Sequence, residues 1–233
     1  MTVEVIIGHG DADDDHRKAA REWVTRWWRS RCYKVTTAVS ASNPWVKADA
    51  YNEVASRSTA DVLVIADADV WAPTAQVAKA IEAAALHGWA VPAHEVHRLS
   101  PDATLAALEL DPADMETPAD PTLDVLNGCP RRHDLLAGGG LLMIARGLWD
   151  QVGGFDPRFI GWGGEDYSLG CALRTYSGHN VHVTRGRLWH LWHPLAEDNG
   201  KGTRGADALA FRYRRAKFRP DDMRALIAEW RQL

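Results

Sequence analysis

The chain predicts an α/β fold with strands laid side by side in one sheet, and three observations carry that expectation. Short apolar runs recur at Val3–Ile7, Tyr33–Val39 and Asp61–Ala66. Each is followed by a segment whose apolar residues fall at helical spacing. Gly, Pro or Asn stand at the joints. Strands alternating with helices argue for an α/β layer with a parallel sheet.

The first run, Val3–Ile7, reads as a buried strand that Gly8-His9-Gly10 interrupts. The acidic cluster Asp11–Asp15 then caps a helix to about Ser30, with Ala19, Trp23 and Trp27 on one face. Tyr33–Val39 is the second strand. Asn43-Pro44 has the form of a cap followed by the first helical residue and predicts a helix to Arg57. Asp61–Ala66 is the third strand. Pro73–Leu86 is a helix stopped by Gly88, and Ala90–Pro92 a short strand. Pro92 to Leu136 is rich in proline and acid and weak in periodicity. It reads as a partly mobile excursion over the active-site face, with one helix near Thr104–Leu110. Gly138–Ala145 returns as a strand, Leu148–Val152 as a short helix, and Glu165–Tyr176 as a helix closed near Gly178. Val181–Thr184 and Arg187–Trp189 are strand-like. Gly200–Gly205 reads as a flexible loop, and helices cover about Ala206–Phe218 and Asp221–Gln232.

With 233 residues, the chain fits one domain: residues 1–92 as a ligand-binding half, 93–136 as the excursion, 137–194 as a catalytic half and 195–233 as loop and closing helices. A net charge of −4 gives no global attraction to nucleic acid or membrane. Cys32, Cys129 and Cys171 lie far apart and form no metal pattern, which points to a reduced, cytoplasmic protein. The opening MTVEVIIGHG reads as a strand rather than a signal peptide, and no membrane span is visible. Eleven tryptophans are many; core packing is the expectation for most, with carbohydrate stacking for a few.

Chemistry concentrates at a few places. Asp67 and Asp69 follow the apolar run DVLVI, so both carboxylates stand at the carboxyl end of a strand, where α/β sheets bind ligands. There they would hold a hard divalent cation against phosphate oxygens. Similar pairs at Asp11/Asp13 and Asp13/Asp15 sit in a helix cap and are weaker candidates. In RLWHLWHP, His190 and His193 end a late strand and offer imidazole to the same cation, a mixture manganese accepts well. Gly163-Gly164-Glu165-Asp166 puts two carboxylates at a helix start behind a tight turn and beside Trp162. That arrangement suits binding a polar ring and removing a proton from it. Arg212, Arg214, Arg215, Lys217 and Arg219, with Phe211, Tyr213 and Phe218 between them, read first as a solvated helix face. A diphosphate clamp or an anionic acceptor, including nucleic acid, is the sharper alternative. Lys201 and Arg204 in a glycine-flanked loop suit a lid over donor phosphates.

The run GGGLLMIARGLWDQVGGFDPRFIGWGGEDYSL resembles the GWGGEDDD-type segment of galactosyl- and N-acetylgalactosaminyl-transferases. ADADV and WHLWHP strengthen the likeness. The resemblance implies a GT-A fold with a single Rossmann-like mixed sheet flanked by helices. It further implies a hexosyltransferase that uses a UDP-sugar and Mn2+ (or Mg2+). Asp166 is then the base of an inverting reaction. Glu165, Trp162, Gly163 and Gly164 lie at the acceptor and sugar. Asp67, Asn52, Asp11, Asp13, Arg17, Lys201 and Arg204 fall at the donor, and Asp67, Asp69, His190 and His193 at the metal. The acceptor would be a glycan, a protein or modified nucleic acid. The chain departs from the pattern at Tyr167–Ser168, which replace the last acidic residues. A sugar nucleotidyltransferase is the nearest rival, but it needs a glycine-rich basic loop where GHGDADDDHR is acidic. A non-catalytic carbohydrate-binding module is the rival from another class.

Overall fold

The computed structural model describes residues 1–10, 14–42, 44–118, 126–130 (as main chain), 140–161, 163–194 and 204–232. In chain order the elements are β1 (Val3–Gly10), α1 (Asp15–Ser30), β2 (Lys34–Ser40), α2 (Lys47–Arg57), β3 (Val62–Asp67), β4 (Val70–Trp71), α3 (Thr74–His87) and β5 (Trp89–Val91). Then come β6 (Glu95–Arg98), α4 (Pro101–Glu109), a 3-10 turn (Pro112–Asp114), β7 (Leu126–Pro130), β8 (Leu141–Ala145) and α5 (Arg146–Val152). The last are α6 (Glu165–Ser177), β9 (His182–Val183), β10 (Arg187–His190), α7 (Arg204–Ala216) and α8 (Pro220–Arg231).

The central sheet has the order β2-β1-β3-β8-β5-β9. β1 pairs parallel with β2 and β3, whereas β8 runs antiparallel to both β3 and β5. The sheet is therefore mixed, as the family resemblance implied. Strand alternation divides its apolar residues between two faces. Ile6, Leu63, Ile65 and Ile144 pack toward α2, α5, α6, α7 and α8. Val5, Ile7, Val62, Val64 and Met143 pack toward α1, α3 and a second sheet.

That second sheet, β4-β10-β6-β7, was not expected. The stretch read as an excursion supplies β6, which pairs parallel with β10. Trp23 and Trp27 of α1 donate indole N–H bonds to the carbonyls of Leu110 and Met115, at 3.1 and 2.8 Å, and pin the 101–115 segment down. Pairing between segments nearly a hundred residues apart leaves no trace in local periodicity. The tryptophans follow the core expectation, with Trp23, Trp27, Trp28, Trp71, Trp89, Trp149, Trp189 and Trp230 all buried.

Two boundaries shift for physical reasons. β1 continues through Gly8-His9-Gly10, because Gly8 leaves room for the Tyr51 ring, which a Cβ would meet at 2.5 Å. Tyr51 in turn bonds the Ala66 carbonyl at 2.7 Å. α2 starts at Lys47, not at Pro44. Ser40 Oγ accepts from the Val46 N–H, and the Trp45 carbonyl accepts from Gly161. The chain is thus held extended until Val46.

Asn52 on α2 clamps the glycine turn that follows α5. Its amide nitrogen donates to the Phe155 carbonyl at 2.7 Å, and its amide oxygen accepts the Phe155 N–H at 2.9 Å. Gly154 sits beneath it at φ +88°, and a Cβ there would lie 2.3 Å from that oxygen. Gly154→Ala combines left-handed strain with loss of the clamp and is expected to cost about 2–4 kcal/mol. Urea unfolding of the variant against the parent protein measures this. A loss under about 0.5 kcal/mol would mean that the turn is not held as described.

Candidate active site and metal centre

Asp67 is the last residue of β3, and Asp69 stands in the turn before β4. The antiparallel pairing of β4 with β10 sets Val70 opposite His190, and the Leu191 N–H bonds the Asp69 carbonyl at 2.8 Å. This ladder brings His190 and His193 to Asp69 across more than a hundred residues of sequence. His193 Nε2 lies 3.1 Å from Asp69 Oδ2, and His190 Nε2 lies 3.7 Å from Oδ1. One ligand atom from each of the three residues falls within 4.8 Å of the others.

The imidazoles are oriented from behind. His190 Nδ1 lies 2.7 Å from the Leu191 carbonyl, and His193 Nδ1 lies 2.9 Å from that of Pro194. A proton on Nδ1 satisfies each carbonyl and leaves the Nε2 lone pair facing Asp69, which is the tautomer a metal needs. Asp69 Oδ1 is buried without a hydrogen-bond partner. Burial alone would raise this carboxyl, but His190 and His193 bring it down to about 2. An ionised, under-satisfied oxygen beside two imidazole nitrogens fits a divalent cation.

Asp67 does not join this group. Its Oδ1 takes a bond from Lys47 Nζ at 3.2 Å, and its Oδ2 takes the Gly140 N–H at 2.6 Å. Among the described residues the group that could hold a cation is therefore Asp69, His190 and His193, with Asp67 engaged by Lys47 and Gly140 beside it.

Lys47 is the residue that sequence reasoning missed. Its side chain is 5% exposed, and Nζ lies 2.8 Å from Asp166 Oδ1 as well as 3.2 Å from Asp67. Burial would lower the ammonium, but Asp166 and then Asp67 more than reverse this and hold it well above its usual value. The Asp67 carboxyl is raised by burial; Lys47 opposes that, and the charges of Asp166 and Asp69 add to it. A signal existed. Lys47, Tyr51 and Val54 fall at i, i+4 and i+7, so the lysine lies on the buried stripe of α2. A lysine there is rare unless paired.

Gly163 and Gly164 turn with φ +119° and +89° into α6. Glu165 is buried, and its Oε2 accepts the Gly163 N–H at 2.8 Å, so this carboxylate folds back on the turn. Burial, then the Asp166 charge, raise the Glu165 carboxyl. Asp166 faces Lys47. A Cβ on Gly164 would meet Phe159 and Ala210 of α7, which shows how closely the turn is packed.

The other expected donor residues are placed differently. Asn52 serves the Phe155 main chain. Arg17 pairs with Asp14 at 2.9 Å, and its other nitrogen lies 3.0 Å from the Pro194 carbonyl and 2.9 Å from His193 Nδ1. It donates to the same Pro194 carbonyl that orients His193 Nδ1, and so holds the main chain beside that ring. Asp11, Asp13, Trp162 and Lys201 lie outside the described residues, as does the side chain of Arg204, whose main chain opens α7.

Residues 126–192 match the family described as the N-terminal domain of galactosyltransferase. The match includes Glu165, Asp166 and His190. Among solved structures, the catalytic domain of Drosophila β1,4-galactosyltransferase 7, in complex with xylobiose, superposes with a TM-score of 0.53. The identity is 13%, over 91% of this chain and 80% of that one. The fold is that of the GT-A glycosyltransferases. GalNAc-T7 with UDP, GalNAc and Mn2+ superposes with a TM-score of 0.54 at 13% identity, over 95% of this chain. This GT-A chain spans about half of that protein, 51% of its length. No curated protein sequence matches.

Two outcomes test the geometry. Lys47→Met leaves Asp67 and Asp166 without their shared cation. The loss is expected near 3 kcal/mol, the low end for a broken buried pair, because the two carboxylates keep 34% and 24% exposure. The raised Asp67 carboxyl takes up a proton as pH falls, so the deficit should shrink on acidification to about pH 5. An equal deficit at every pH would contradict the pairing. The second outcome concerns His193. Its hydrogen bond to Asp69 raises its pKa, against the opposing effect of burial. The protonated ring cannot ligate, so Mn2+ affinity should climb as pH rises through that value, by up to about tenfold per unit below it. Calorimetric titration of Mn2+ at about pH 6 and pH 8 reads this directly. A flat profile would remove His193 from the coordination shell.

Proposed function

We propose that the chain is a metal-dependent glycosyltransferase that moves a hexose or N-acetylhexosamine from a UDP-sugar to an acceptor hydroxyl. The observation that carries this reading is the trio Asp69, His190 and His193, with Lys47 joining Asp67 to Asp166 at the same strand ends. The galactosyltransferase family match over 126–192 and the GT-A fold support it.

Asp69, His190 and His193 would hold the cation. Two imidazoles favour manganese over magnesium, which prefers oxygen ligands and retained water. When bound, the cation supplies positive charge to the diphosphate leaving group. Asp67, fixed by Lys47 and the Gly140 N–H, would accept hydrogen bonds from donor hydroxyls. Asp166, at the start of α6, would take the proton of the attacking acceptor hydroxyl, and inversion follows from a single displacement needing one base. Glu165 would shape the acceptor turn through Gly163. Lys47 keeps both carboxylates in place without competing for the proton, because its ammonium stays charged.

The bound xylobiose and GalNAc of the two similar proteins support a glycan as acceptor and a UDP-hexose or UDP-N-acetylhexosamine as donor. No helix among the described residues is long and apolar enough to cross a membrane. Cys32 and Cys171 are free thiols, which suits a reducing compartment, and we place the enzyme in the cytoplasm.

Asp166→Asn is nearly isosteric and cannot take a proton. Transfer should fall at least about a hundredfold, while UDP-sugar affinity stays within a few-fold. Asp69→Ala should do the reverse and lose manganese-dependent UDP binding while remaining folded. Transfer rate and donor affinity measured on the same preparations decide the matter. Near-normal transfer by Asp166→Asn would exclude it as the base.

A further inference from the structure

The basic run near the C-terminus divides in two. Tyr213 is buried, bonding Asp156 at 2.9 Å through its hydroxyl, and belongs to the core. Arg212 is paired with Glu229, and Arg219 with Asp222. Arg214, Arg215 and Lys217 have no acidic partner among the described residues. Arg214 and Arg215 lie with Phe211 and Phe218 on the exposed side of α7 and its following turn, away from the buried Ala206, Leu209, Tyr213 and Ala216, and the half-buried Lys217 borders them. Phe211, Arg214 and Arg215 fall at i, i+3 and i+4 on α7, and Phe218 follows in the turn after its end. Phe211 is 56% exposed and Phe218 65%. Asp207, one turn before Phe211, marks the acidic limit of the stripe.

Arg174 of α6 joins the patch. Its guanidinium lies 4.6 Å from the centre of the Phe218 ring, and Lys217 Nζ lies 4.9 Å from it. The Phe218 ring thus brings Arg174 of α6 and Lys217 together in one locality. The Thr175 hydroxyl bonds the Lys217 carbonyl at 2.9 Å, so α6 and the end of α7 hold the patch rigidly.

The geometry points to this patch as a docking surface for an anionic phospholipid membrane. A protein of net charge −4 has concentrated uncompensated cations around two outward phenylalanines. Cations complement the phosphates of an acidic leaflet, and the aromatic rings enter the headgroup layer beside them. The surface is convex, a helix face rather than a groove, and a base stacking on Phe218 would compete with two cations already against the ring. A lipid plane meets neither obstacle. Arg174 lies eight residues beyond Asp166 on α6, so the catalytic carboxylate stands about 12 Å along the helix from the patch. That distance suits an acceptor carried on a lipid headgroup. The docking inference does not depend on the catalytic reading.

The test is co-sedimentation of the full chain with vesicles of phosphatidylcholine alone or mixed with phosphatidylglycerol. Binding is expected only to the anionic vesicles and should weaken as salt rises. The double variant Arg214→Glu, Arg215→Glu should lose at least about tenfold in vesicle affinity while keeping the parent's melting temperature and UDP-sugar hydrolysis. Phe218→Ser, which keeps every charge, should also weaken vesicle binding. Absence of binding to anionic vesicles, or equal binding to both kinds, overturns the proposal. So does unchanged binding by both variants. Variant-sensitive capture of a single-stranded oligonucleotide in place of vesicles would reassign the patch to nucleic acid.

Discussion

The site depends on one buried cation. Lys47 enters from the first turn of α2 and touches Asp67 at the end of β3 and Asp166 at the start of α6. Without it, two carboxylates from distant parts of the chain would face each other in a partly desolvated cleft, and their repulsion would favour protonation of one. With it, both can be held close and available. Three successive supports keep Lys47 in position. The Ser40 and Trp45 contacts delay the start of α2, Tyr51 packs over Gly8, and Asn52 bonds both polar groups of Phe155. The end of β3 and the start of α6 are thus joined through one helix.

A second brace comes from the C-terminal helices. Asp156, buried in the turn that Asn52 clamps, receives bonds from Arg158 and the Tyr213 hydroxyl, and Trp230 donates to that same hydroxyl at 3.1 Å. α7 and α8 therefore also reach the loop leading to Gly163. The left-handed Gly153 and Gly154 are thus braced by contacts from outside their own turn, which is how such residues persist.

Much of this was legible in the sequence. β1, β3 and α3 were visible because burial on both faces, or a regular apolar stripe, writes a local pattern. Asp69, His190 and His193 could be singled out because each follows an apolar run. Three features were hidden. The second sheet arises from pairing between β6 and β10, which no local window contains. The split between Asp67 and Asp69 depends on which way each side chain leaves a turn, and sequence spacing is silent on that. Asn52 and Arg17 were assigned to the donor by analogy, whereas Asn52 holds the Phe155 main chain and Arg17 the Pro194 carbonyl. Lys47 alone was within reach, as a charge lying in register with an apolar stripe.

His190 and His193 carry one more consequence. Each ring is oriented by a main-chain carbonyl of the residue that follows it, Leu191 for His190 and Pro194 for His193. Many metal sites use a carboxylate side chain for that task, and a single substitution can then remove it. Here the acceptors belong to the peptide itself, and no change of side chain at those positions deletes them. The tautomer of both rings is thereby insulated from mutational drift in the surrounding shell. The residues around this cluster are free to diverge while the imidazoles go on presenting the same nitrogens.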